Sequence, residues 1–222
     1  MMHQEEQLWR CFFPQFIESE DPELKTLVEN AKLIELPGGK TLFYPGAPCQ
    51  NYVLVVDGQI RVHLVSRNGR EILLYRVKPG DSCILTTSCL LGKKPYPAEG
   101  TTEEPVTAFV IDQPTFRKTL ERSQFFRSFV FENFSARLST VITRMEEVVF
   151  ESVERRLAKV LLENPLETLE KTHQELAAEL GTAREVVSRH LKRFERYGWI
   201  KMQRGSIWIL DAKALQRVTE FE

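Results

Sequence analysis

The chain has 222 residues, of which 42% are apolar and 27% charged, with a formal net charge of -1. That length allows one or two ordinary cores, and the near-neutral balance argues against a protein that coats nucleic acid nonspecifically. There is no run of about 18 uncharged apolar residues, and the start, Met1-Met2-His3-Gln4-Glu5-Glu6, lacks a basic-then-apolar leader, so a cytoplasmic protein with no membrane partner is expected. In that compartment Cys11, Cys49, Cys83 and Cys89 would be thiols, too few for a disulfide scaffold.

From about Leu33 to Ile111, short β-branched or aromatic runs alternate with turn residues: Pro37-Gly38-Gly39, Pro45-Gly46, Asp57-Gly58, Asn68-Gly69 and Pro79-Gly80. Tyr52–Val56, Gln59–Val65 and Glu71–Val77 read as strands, and Asn68-Gly69 as a tight hairpin turn, because such a turn needs positive φ at both central residues. Residues 1–114 are therefore expected to form an N-terminal antiparallel β-roll, a cupin-like double-stranded barrel.

Residues 115–150 change to a helical pattern. Phe131, Phe134, Leu138, Val141, Met145 and Val148 alternate steps of three and four, a heptad seam that predicts a dimerisation helix pairing with its twin in a homodimer. The alternative is that this stripe packs only on its own barrel.

The third segment, 151–222, opens with Ser152 as an N-cap and a helix through Leu162, which Asn164-Pro165 should stop. Thr172-His173-Gln174-Glu175 has the spacing of a capping box, and the helix it opens should end at Gly181. Thr182 and Glu185 repeat that spacing and open a second helix through Val186, Val187, Leu191 and Phe194. Two capped helices joined by a glycine turn make a helix-turn-helix. Trp199–Met202 and Ile207–Leu210, joined by Gln203-Arg204-Gly205-Ser206, read as a β-hairpin wing.

Residues 183–205 hold seven Lys or Arg against Glu185 and Glu195 alone, a local excess of positive charge that suits double-stranded DNA. The second helix of such a unit lies in the major groove with its first turn at base edges. Arg184, Glu185, Ser188 and Arg189 are the expected base contacts: Arg can fork onto guanine, Glu can accept from cytosine and Ser suits either kind of edge. Thr172, His173, Gln174, Thr182 and Lys192 are the expected phosphate contacts.

This order of parts, an α+β chain with a β-roll, a long helix and a winged helix-turn-helix, resembles the Crp/Fnr family of bacterial regulators from about residue 15 to 218. The most specific piece is Arg184-Glu185-Val186-Val187-Ser188-Arg189, which is similar to that family's recognition-helix pattern. The resemblance implies that Glu185 and Arg189 read the G·C pair of a TTGAT-like half-site in a palindrome, with RNA polymerase a further candidate partner.

In family members that bind cyclic AMP, a Gly-Glu pair and an Arg-Ser or Arg-Thr pair surround the phosphate. Here Gly80-Asp81 and Tyr96-Pro97-Ala98 stand there, with Lys93 or Lys94 the nearby substitutes, so cyclic-nucleotide binding is not expected. No cofactor is expected either: the N-terminus carries only Cys11 where iron-sulfur relatives have a cysteine cluster, and His3, His63, His173 and His190 form no ligand spacing.

Cys83 and Cys89, flanking Ile84–Ser88, are the candidate sensor thiols, responding to redox or sulfur species; the opposing reading makes them small buried hydrophobes. A small ligand or haem in the roll is the alternative sensor. An enzyme is not expected, since a cupin-type metalloenzyme needs a histidine cluster and the barrel offers His63 alone.

Overall fold

A computed structural model describes residues 2–66, 71–163, 168–203 and 205–220. They form two compact units, one of Met1–Leu64 with Leu74–Val141, the other of Val65–Leu73 with Ile142–Glu222. The expected turn at Asn68-Gly69 and the stop at Asn164-Pro165 lie outside the described residues.

The first unit begins with three helices that the sequence pattern did not announce: α1 (Met2–Phe12), α2 (Pro14–Glu18) and α3 (Pro22–Asn30). Proline opens both α2 and α3, where its missing N–H costs nothing. Asp21 caps α3 by accepting from the Glu23 amide at 2.9 Å.

Seven strands follow: β1 (Lys32–Leu36), β2 (Thr41–Phe43), β3 (Asn51–Asp57), β4 (Ile60–Val65), β5 (Glu71–Val77), β6 (Glu99–Thr102) and β7 (Val106–Asp112). They lie in two sheets, ordered β1-β7-β3 and β2-β6-β4-β5. They form the antiparallel β-roll expected from the sequence, as two sheets and not a closed barrel. The chain leaves one sheet for the other between β3 and β4, at Gly58, whose φ of +75° and close approach to the Pro105 carbonyl leave no room for a Cβ.

Side-chain alternation gives the first sheet two apolar faces. Toward the helices, Phe109 stacks on Trp9 at 4.1 Å, and Tyr52 packs on Phe116 and Phe126. Ile34, Val53, Val106, Ala108 and Val110 instead line a cavity inside the roll. Each fully buried large side chain contributes about 1.5–3 kcal/mol, so this aromatic layer fixes the helices firmly.

Between β5 and β6 lies α4 (Ile84–Gly92), which ends in Lys93 at φ +52°. The helix expected over 115–150 is two helices, α5 (Gln113–Arg122) and α6 (Gln124–Phe150). Ser123 divides them: its hydroxyl accepts from the Phe126 amide at 3.0 Å as an N-cap would, and donates to Asp21 at 2.6 Å.

The second unit contains α7 (Val153–Leu162), β8 (Thr168–Leu169), α8 (His173–Leu180), α9 (Arg184–Arg196), β9 (Ile200–Gln203), β10 (Ser206–Ile209) and α10 (Ala212–Glu220). Ser152 caps α7 as expected, accepting from the Arg155 amide. Leu157, Leu161, Leu176, Leu180, Leu191 and Phe194 are central to its core. β9 and β10 pair antiparallel as the wing, with β8 on the outer side of β10.

Candidate functional site

The capping box at α8 is complete: the Thr172 hydroxyl accepts from the Glu175 amide, and Glu175 Oε2 accepts from the Thr172 amide at 2.6 Å. Gly181 ends the helix at φ +63°. Thr182, expected to cap α9, does not. The Thr182 amide donates back to Ala177 at 2.9 Å, closing the glycine turn, so Thr182 is buried in that turn and Ala183 is the N-cap of α9, with no side-chain cap bond.

Val187, Leu191 and Phe194 bury one face of α9. On the opposite face Arg184, Glu185, Arg189 and Lys192 are exposed, and Ser188 between them is half-buried. Its hydroxyl lies 2.8 Å from His173 Nδ1, so His173, expected to contact phosphate, also positions Ser188, expected to contact bases. Burial, then Arg184 and Lys192, push the His173 pKa below its ordinary value. Arg193 is withdrawn from this face by an ion pair with Glu154.

Thr172, His173 and Gln174 at the start of α8, Arg184 at the start of α9, and Gln203 and Ser206 of the wing border a groove of about 440 Å³. Lys171 also lies there, held by Glu179 at 2.6 Å. Helix N-terminal amides and cations around one groove suit an anion. The wing residue Arg204 lies outside the described residues.

Along α6 the expected seam divides. Phe131, Leu138 and Met145 are exposed, whereas Phe134 and Val141 pack against the core of the first unit. The Val148 side chain lies outside the described ones. Ile142 and Val149, not named from the sequence, join the exposed row.

Inside the roll, the cavity between the two sheets has a volume of about 430 Å³. Cys83, Thr86 and Tyr96 supply its inner polar groups, and none of the side chains lining it carries a charge. Tyr96 stacks on Phe43 at 4.1 Å, and Phe43 lies so close over Gly100 that any side chain there would displace its ring. The Tyr96 hydroxyl accepts from the Cys49 thiol at 3.1 Å and donates to Thr86 at 3.5 Å.

Cys83 stands at the N-cap position of α4 with no side-chain cap bond, and Cys89 lies within the helix; both are buried. Burial, then the neighbouring Cys49 and Cys83, push the Cys89 thiol up to about 11, and burial raises Cys49 as well. Cys49 and Tyr96 belong to this cluster although sequence spacing gave no sign of it.

Two family profiles match the chain, the cyclic nucleotide-binding domain over residues 33–123 and the Crp-like helix-turn-helix domain over 155–218. The chain belongs to the Crp/Fnr family. Its relatives include a CRP-like cAMP-activated global transcriptional regulator of Mycobacterium tuberculosis, 24% identical over 89% of this chain and 92% of that protein. The transcriptional regulator SdrP of Thermus thermophilus is 28% identical over 84% and 94%. A crystal structure assigned to a Crp/Fnr transcriptional regulator of Eubacterium rectale superposes with a TM-score of 0.86 at 28% identity, covering 95% of this chain and 99% of that one. The protein is a DNA-binding transcription regulator of the Crp/Fnr type, and these relatives are regulators rather than enzymes. No helix among the described residues is long and apolar enough to cross a membrane.

Against the cyclic-AMP pattern of the Crp/Fnr family, Tyr96 stands buried where an arginine is expected, and Lys93 and Lys94 are exposed and do not line the cavity. Asp81, in the place of the family's glutamate, is paired with Arg137 of α6.

Proposed function

We propose that the protein binds a TTGAT-like palindrome as a cytoplasmic homodimer, with residues 1–114 as sensor, 115–150 as dimerisation segment and 151–222 as DNA-binding domain. The observation that carries this reading is the exposed row Arg184, Glu185, Arg189 and Lys192 opposite the buried face of α9. Arg184, Glu185, Ser188 and Arg189 meet base edges; Thr172, Gln174 and Lys192 meet phosphates. Two-fold symmetry demands inverted half-sites about one helical turn apart. RNA polymerase is a further partner of the bound dimer.

Fluorescence anisotropy at fixed salt, with a TTGAT palindrome and a scrambled duplex, tests this. Arg189→Ala should weaken the palindrome by about 1–3 kcal/mol and relax discrimination at its G·C pair. Lys192→Ala should weaken both duplexes alike and flatten the salt dependence. Equal affinity of the wild type for the two duplexes sinks the sequence-specific reading.

Two sensor readings compete. A thiol switch at Cys83 and Cys89 is favoured by one cysteine at the start of a short helix and a second within it. Six helical residues, however, rise about 9 Å, beyond the roughly 7 Å that a direct disulfide spans. A bridge containing added sulfur atoms is the form that fits, and an unchanged response of Cys83→Ser to polysulfide counts against it. The uncharged cavity favours the second reading, a small ligand in the roll.

A further inference from the structure

We infer that the roll cavity takes an uncharged, mainly apolar small molecule bearing a hydrogen-bond acceptor, seated with its polar end at Thr86 and its body against the stacked Phe43–Tyr96 pair. This deepens the ligand-sensing reading above and rests on it.

Charge decides the class. The walls are aliphatic or aromatic, contributed by Ile34, Val53 and Ala108 from one sheet and Phe43 and Ile60 from the other. At the rim stand Tyr44, Gln50 and Asn51, also neutral. An anion taken into such a space without a counter-charge loses its hydration for nothing, at a cost of several kcal/mol. The N-terminal end of α4 would be the remaining attraction for a phosphate, but the Leu85 amide already donates to the Tyr75 hydroxyl at 3.0 Å. Tyr75 thus takes up one of the amides an anion would need.

Hydrogen bonding decides the polar end. Tyr96 satisfies itself between the Cys49 thiol and the Thr86 oxygen. The Thr86 hydroxyl receives from Tyr96 and keeps its own proton for a ligand oxygen, and the residue is fully buried. A carbonyl or ether oxygen meets that need, whereas an aliphatic ligand leaves the donor unmet. At the packing density of protein interiors the cavity holds roughly 300 Å³ of ligand, the size of a bicyclic ketone with short substituents.

The test uses the full-length protein and Prodan, an uncharged naphthyl ketone dye whose emission shifts to the blue in apolar surroundings. The wild type should bind one dye per chain with a blue shift. Ala108→Leu, which fills the cavity, should weaken the dye at least tenfold, and Thr86→Val several-fold. Cyclic AMP should neither bind nor displace it. Val53→Phe replaces Ala108→Leu if circular dichroism shows that variant unfolded.

Displacement of the dye by cyclic AMP at similar concentration overturns the inference, as does equal dye binding by wild type and the filled variant. DNA affinity of the same dye-free preparation is read in parallel. DNA binding without dye binding overturns the cavity inference alone; dye binding without DNA binding leaves it standing and removes the DNA reading.

Discussion

His173 joins the first helix of the DNA-binding unit to the second through Ser188 at 2.8 Å, and its titration should therefore appear in DNA binding. Its pKa lies below the ordinary histidine value because of burial first, and then the cations Arg184 and Lys192 on α9. In the free protein the neutral ring is favoured: that stability is present above about pH 6.5 and is lost as pH falls through the lowered pKa. DNA phosphates near the same face oppose Arg184 and Lys192 and raise the pKa, so the complex takes up a proton. Affinity for the TTGAT palindrome should then rise as pH falls from about 7.5 to about 6, and His173→Asn should remove most of that slope. His190, also lowered, chiefly by burial, lies off the exposed row, so His190→Gln should leave the slope in place. An unchanged slope in His173→Asn defeats this account.

At the scale of elements, α6 carries two apolar stripes with different destinies. Phe126 and Val130 are fully buried and Phe134 and Val141 pack behind them, whereas Phe131, Leu138, Ile142, Met145 and Val149 face outward in heptad steps. Ile142→Lys with Met145→Lys should halve the mass seen by light scattering while leaving the helical signal intact. Phe134→Ala should instead lower stability by about 3 kcal/mol, the low end for a phenylalanine because this one is half-buried, and leave the dimer mass unchanged. A persistent dimer in the double lysine variant removes the outward stripe as the interface. The sequence seam mixed the two stripes because spacings of three and four describe any buried helix face, whatever covers it. Strands β3, β4 and β5 were legible because glycine turns bracket β-branched runs; the break at Ser123 was legible in principle as a capping residue but was hidden by continuous apolar periodicity. Likewise Asp21-Pro22, an N-cap followed by proline, marks the start of α3 in principle.

In the molecule as a whole, the DNA half was readable because its determinants are local: a capping box, a glycine turn and a basic helix face lie within 25 residues of one another, from Thr172 to Arg196. The β-roll half was not, because Phe43, Cys49, Thr86 and Tyr96 meet only after the strands have paired, and no spacing foretells that. If the cavity and the DNA face belong to one switch, their coupling is a free energy shared by both and must be the same in either direction. Prodan, or a natural ligand of the same class, that changes affinity for the palindrome by some factor must itself be bound tighter or weaker by that factor when the palindrome is saturating. A coupling of about 1–3 kcal/mol corresponds to roughly 5–150-fold, well within the reach of anisotropy and dye titrations on the same samples. Ala108→Leu should abolish the dye's effect on DNA affinity while leaving dye-free DNA binding intact. A dye that fills the cavity and leaves DNA affinity unchanged separates occupancy from regulation, because a ligand with equal affinity for two states shifts neither.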